Sequence, residues 1–279
     1  MSAKPTAHLF DSNNPEPEAA RRIALEWLRF NPGAQQLPAA TALEPYVHFA
    51  GPPNLGLMHH YVSNVFWDLV IDRIVVPGQR QDMGSGASHN FPWFQLTDFG
   101  RAVLRDEPFN PHDPTRYLER LKERVNNVDA TVLAYLHESL HALRAGLAIS
   151  ALLGLGIASE RVFLLLADGL LGALGDPQER SRFEKVLDRT SMKAKLDWVT
   201  GKIERIGGSN GRPADWPDTA GLTVGFICNL LRMQRNDLGH PQPTVPKTST
   251  EDAFIHLQIF PRYYEHAEEL RSILSNSRV

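Results

Sequence analysis

Arg235 and His240 are the two residues whose types and placement best suit chemistry. Residues 222–238 read as a helix, with Val224, Ile227, Cys228 and Leu231 forming one apolar stripe at i, i+3, i+4 and i+7. The next position on that stripe is Arg235. A guanidinium where the pattern calls for a core residue has to be paired, or has to face a cavity or a partner. Five residues on, Gly239 and Pro241 end the helix around His240. A cation and an imidazole are thereby held together on a rigid helix end. An imidazole can take or give a proton near neutrality, and a guanidinium can grip a phosphate with two parallel hydrogen bonds.

Spacing alone says little here. With 22 arginines and 11 histidines, about two or three arginines should be followed by a histidine after four to six residues by chance. Arg105 and His112 also match, but they lie in a proline-rich stretch. The stripe position, the adjacent Asn236 and the place after a fourth bundle helix set Arg235 apart. Arg235-Asn236-Asp237-Leu238-Gly239-His240 resembles the Arg-x4–6-His motif of HEPN ribonucleases, in which a polar residue often follows the arginine. The preceding helices resemble the same superfamily, with GIASERVFLLL in the second of two long helices. The resemblance covers residues 113–275.

That resemblance implies metal-free RNA cleavage by a five-helix HEPN-like bundle. The ribose 2′-OH attacks the adjacent phosphate, leaving a cyclic phosphate and a free 5′-OH. His240 moves the proton and Arg235 holds the phosphate and offsets charge in the transition state. Asn236 positions the phosphate or the histidine, with Asp237 in support. Glu160 orients Arg235, or forms an ordinary helix-packing salt bridge. HEPN sites are commonly composite across a homodimer. The family association is with toxins and phage-defence effectors. No cofactor is implied, and RNA is the expected partner. The rival readings are a non-catalytic module of the same fold, or a buried Arg235 paired with an acid and His240 as a helix cap.

A zinc site is the competing chemistry. His137-Glu138-Ser139-Leu140-His141 is an HExxH match on a helix, with Glu160 as a later third ligand and Glu138 as base. Against it, the apolar seam of that helix runs through Val132, Tyr135 and Ser139, so His137 points away from the seam. The surroundings of Glu160 do not resemble those of gluzincins, and no strand-rich segment precedes the helix.

The elements that must position these residues belong to a globular chain of 279 residues, 42% hydrophobic and 22% charged. The net charge is −3, so any nucleic-acid site has to be a local patch. Cys228 is the single cysteine, which excludes an internal disulfide and suits the reducing cytoplasm. Residues 1–17 read as a disordered tail without a secretory apolar region. Residues 147–174 are the most apolar stretch, but Glu160, Arg161 and Asp168 interrupt them, so a buried central helix is expected rather than a membrane span.

Residues 18–108 read as a small α+β domain: helices over 18–30 and 54–74, a strand over 74–78, a loop over 79–90, a returning strand over 92–96 and a short helix from Thr97. FWDLVIDRIVVPG followed by FPWFQLTDFGRAVL resembles a winged helix-turn-helix domain with its wing. That resemblance implies a DNA or protein contact, with Arg73 and Arg80 near the phosphates; a plain docking domain is the alternative. Residues 109–115 read as a linker ending in an Asp113-Pro114 helix start. Beyond it, residues 116–279 read as mainly α, with helices over 116–144, 147–174, 177–206 and 222–238. A fifth begins at a Ser249–Asp252 capping box and runs to Leu274 with a kink at Pro261.

Overall fold

The computed structural model describes residues 4–78, 93–105, 109–209, 212–217, 220–221, 224 and 248–277. The chain is mainly helical and divides into two compact units, Met1–Thr115 and Arg116–Val279.

The first unit is built around α1 (Pro17–Phe30) and α3 (Leu55–Ile71), with a short α2 (Ala40–Leu43) between them. Its strands form two separate pairs. β1 (His8–Phe10) lies parallel to β2 (Val47–Phe49), with Phe10 opposite Phe49. β3 (Val75–Pro77) lies antiparallel to β4 (Phe94–Leu96), with Val75 opposite Leu96, as the β-branched run suggests. A six-residue α4 (Asp98–Val103) follows, capped by the Thr97 hydroxyl, which accepts from the Gly100 N–H at 2.7 Å.

Two segments expected to be loose are packed. Residues 8–10 form a strand, and Phe10 is fully buried. In the segment expected as a linker, Asn110 and Asp113 are buried. The physical cause is a charged network on α1. Glu26 accepts from the Thr6 backbone N–H at 3.1 Å and pairs with Arg29, which also pairs with Asp113. Arg21 pairs with Asp72 at 2.8 Å. Buried charges persist only when paired in this way. Because both flanks cover it, α1 buries Arg21 and Glu26 as well as its apolar residues from Ala19 to Leu28.

In the second unit every described regular element is a helix. Residues expected as one helix over 116–144 form two, α5 (Pro114–Arg124) and α6 (Ala130–Arg144). The break has Asn127 at φ 56°, a conformation Asn tolerates, and Asp129 caps α6 through the N–H groups of Thr131 and Val132. Asp129 also accepts from Arg161 at 2.9 Å, and its own N–H donates to the Tyr264 hydroxyl at 2.9 Å. Above all the Arg161 hydrogen bond, and then these backbone donors, hold the Asp129 carboxyl below the usual aspartate value. The seam of α6 runs through Val132, Leu136, Ser139 and Leu140 rather than Tyr135, which is exposed.

The expected helix over 177–206 is likewise a helical hairpin. α8 (Pro177–Arg189) ends before Ser191, whose side chain caps α9 (Met192–Gly207). Phe183 stacks on Trp198 at 3.7 Å between centroids, and Glu179 pairs with Lys202 at 2.8 Å. A single straight helix could not bring these pairs together.

α7 (Ala148–Ala173) packs on both α6 and the last helix, α10 (Thr250–Ser275). Its length and composition would suffice to cross a membrane, yet half of its most apolar window is buried inside the protein. It is not covered all round, since Ile157 and Asp168 are exposed. Ser139 is fully buried where α6 meets α7, and its hydroxyl donates to the Ala151 carbonyl at 2.6 Å. α10 begins at the expected Ser249–Asp252 capping box and is helical through Pro261. Proline has no N–H, so the carbonyl of Leu257 lacks its usual donor four residues on. The buried Tyr117 hydroxyl donates to that carbonyl at 2.6 Å. Burial pushes the phenol well above the ordinary tyrosine value, which keeps it a donor.

A double-mutant cycle checks this substitution of one donor for another. Tyr117→Phe should cost about 1–3 kcal/mol in the wild-type background, because it strands a buried carbonyl. In a Pro261→Ala background the backbone N–H is restored, and the same change should cost clearly less. Equal costs by denaturant unfolding in both backgrounds would contradict the compensation.

Candidate functional site

The stripe that points to Arg235 is anchored in the core. Its first residue, Val224, is 3% exposed and belongs to the cluster of Phe163, Leu166 and Leu170 on α7, Val199 and Ile203 on α9, and Leu270 on α10. Trp216 and Ala220 join the same cluster. Residues leading into the candidate helix are therefore held by apolar burial, as the sequence pattern requires. Arg235, Asn236, Asp237 and His240 themselves lie outside the described residues, as do Cys228 and the rest of the expected fourth helix. So does Arg80 in the loop between β3 and β4.

Glu160 lies on α7, partly buried. At three and seven residues before Phe163 and Ala167, it shares their face of the helix. Phe163 and Ala167 belong to the same buried cluster as Val224.

Arg73 is placed differently from a side chain reaching out of a wing. It occupies the turn between α3 and β3 at φ 60°, with its guanidinium 5.7 Å from the centre of the Phe99 ring. Its carbonyl accepts from the Thr97 hydroxyl at 2.6 Å.

His137 and His141 are exposed on α6, with their Nε2 atoms 3.1 Å apart. Among the described residues no three His, Cys, Asp or Glu side chains are grouped to hold a metal, so Glu160 does not complete a zinc site with this pair. A catalytic zinc needs three protein ligands. The packing explains the separation: Gly154 of α7 faces the Tyr135 carbonyl and Ser139, on the opposite side of α6 from the histidines.

One polar groove of about 950 Å³ was not legible in the sequence. It lies between the α5–α6 connection and α10, lined by Arg124, Asn127, Arg262, His266 and Arg271 with three glutamates. Arg124 pairs with Glu265 at 3.4 Å, Arg271 with Glu268 at 3.0 Å and His266 with Glu269 at 3.5 Å. Internal pairing of this kind leaves the groove mixed in charge rather than built for an anion. Its only sequence signal is the dense run of charges at helical spacing in α10.

No family model, curated protein or solved structure matches the chain.

Proposed function

We propose that the chain is a metal-independent endoribonuclease of HEPN type, in which His240 moves the proton and Arg235 clamps the scissile phosphate. The observation that carries this reading is the burial of Val224 in the core of a unit whose described elements are all helices. If the apolar stripe continues from that anchor as one helix, it brings Arg235 to a position that core side chains would otherwise occupy. A guanidinium there serves a partner or a ligand, because leaving it unpaired is costly. Glu160, partly buried on α7, is the residue proposed to orient it. Asn236 and Asp237 support the phosphate and the imidazole. The site is proposed to be shared across a homodimer, the second unit to be a HEPN-like bundle, and the setting to be the cytoplasm, with a role of the toxin or phage-defence kind.

In the first unit, the order α3, β3, β4 supports a winged helix-like reading. α3 carries no lysine or arginine, and it exposes Trp67 and Ile71 at 53% and 78%. Phosphate contacts dominate DNA affinity and need cations. The exposed face of α3 therefore favours a protein contact over DNA.

End-group analysis of the products tests the chemistry. Cleaved RNA should carry a cyclic phosphate, or its opened form, on the 3′ side of the break and a free 5′-OH beyond it. Cleavage should persist in excess chelator, since the 2′-OH is the nucleophile and histidine the proton carrier. Products with 3′-OH ends would refute the mechanism. A protein that binds RNA or a partner and cleaves no RNA would be the non-catalytic module.

A further inference from the structure

The geometry of α6 points to a two-histidine chelating site for a divalent transition metal, formed by His137 and His141. This inference is independent of the ribonuclease reading and of the three-ligand zinc site, which the fold does not assemble. Three observations carry it. First, the rings stand one helical turn apart, with centroids 4.3 Å and Nε2 atoms 3.1 Å from each other. Metal–imidazole bonds are about 2.0–2.1 Å, so that separation corresponds to an angle of about 98° at a shared ion. The angle lies between the right angle of tetragonal Cu²⁺ or Ni²⁺ and the tetrahedral angle of zinc, within reach of both. Imidazole nitrogen suits these ions, and copper leads the general order of affinity.

Second, the helix beneath the pair is preorganised. Asp129 caps its first turn, and Leu136, Ser139, Leu140 and Leu143 bury its other face. Binding then costs little backbone ordering, since the i, i+4 spacing already exists. Third, both rings are exposed, so an ion can reach them and keep water in its other positions. With no ion bound, one Nε2–H hydrogen-bonds the other Nε2; when an ion binds, both rings carry their proton on Nδ1, so that both Nε2 lone pairs face the ion.

Calorimetric titration of the full chain with Ni²⁺, and separately with Cu²⁺, tests the site in a weakly coordinating buffer. One ion per chain should bind. His137→Ala and His141→Ala should each weaken binding by about tenfold or more, because a chelate becomes a single imidazole contact. His256→Ala, a partly buried histidine of α10 outside the pair, should leave it unchanged. Thermal unfolding gives a second reading: Ni²⁺ should raise the melting temperature of the wild type and not of either variant, since an ion that binds only the folded helix stabilises it. Neither alanine threatens folding, because both positions are exposed and alanine favours helix. Wild-type affinity in His137→Ala, no binding by the wild type, or loss of binding in His256→Ala would each overturn the assignment.

Discussion

His240→Ala is expected to lower the rate of RNA cleavage by about a hundredfold or more, the usual contribution of a positioned proton carrier. The imidazole has to take the 2′-OH proton or deliver one to the departing 5′ oxygen, and alanine can do neither. Arg235→Ala should cost a similar factor, because the cation offsets charge that grows on the phosphate. The two variants differ in risk. Arg235 follows an apolar stripe, and its removal can strand an acidic partner and loosen the bundle. His240 stands between Gly239 and Pro241 in the sequence, where a helix is expected to end, so its removal is the cleaner test. Circular dichroism and thermal unfolding on the same samples establish that each variant is folded. His256→Ala, whose ring bonds only the local Asp252 carbonyl among its described partners, should cleave as the wild type does. A folded His240→Ala protein with the wild-type rate would end the ribonuclease reading.

Gly100→Ala should be the most damaging single-methyl substitution in the first unit. A Cβ at Gly100 would lie 2.0 Å from the Ile74 carbonyl oxygen and 2.9 Å from its carbon. Both are backbone atoms, and Ile74 is fixed on two sides. The Thr97 N–H donates to its oxygen at 3.1 Å, and the next residue, Val75, opens the β3–β4 ladder. No rotamer change can relieve the overlap, so α4 has to lift from the sheet pair. Overpacking of this kind costs about 3 kcal/mol or more. For a domain of this size, that lowers the melting temperature by on the order of 10 °C or more. Gly172→Ala is the matched control: no heavy atom lies within 4 Å of its Cβ. Inside α7 it should be neutral or stabilising by up to about 1 kcal/mol, since glycine is a poor helix former. Equal melting of Gly100→Ala and wild type would mean that α4 does not rest on Ile74 as described.

The amino-acid sequence by itself determined the features that depend on near neighbours. Helical periodicity marked the second unit as mainly helical, and every regular element among its described residues is a helix. Ser249 and Asp252, three residues apart, marked the start of α10, and both cap bonds are present. The β-branched Val75-Val76 run and the returning Phe94-Gln95-Leu96 marked the antiparallel pair. The candidate chemistry rests on the same kind of signal, since Arg235 and His240 are close in the chain; of the stripe leading to them, Val224 is described and is buried. The tertiary structure decided whatever needs a distant partner. Residues 8–10 and 109–115 look polar and loose until Thr6 and Asp113 meet Glu26 and Arg29. Residues 116–144 and 177–206 have helical composition throughout. They break because Asp129 and Ser191 gain cap bonds, and because Arg161, Phe183 and Trp198 gain partners, that a continuous helix would forgo. His137, His141 and Glu160 are spaced like a zinc motif, yet the packing of α6 on α7 turns the histidines outward and away from it. Local spacing sets which residues can act together on one helix, and only packing between helices sets which of those sets share a site.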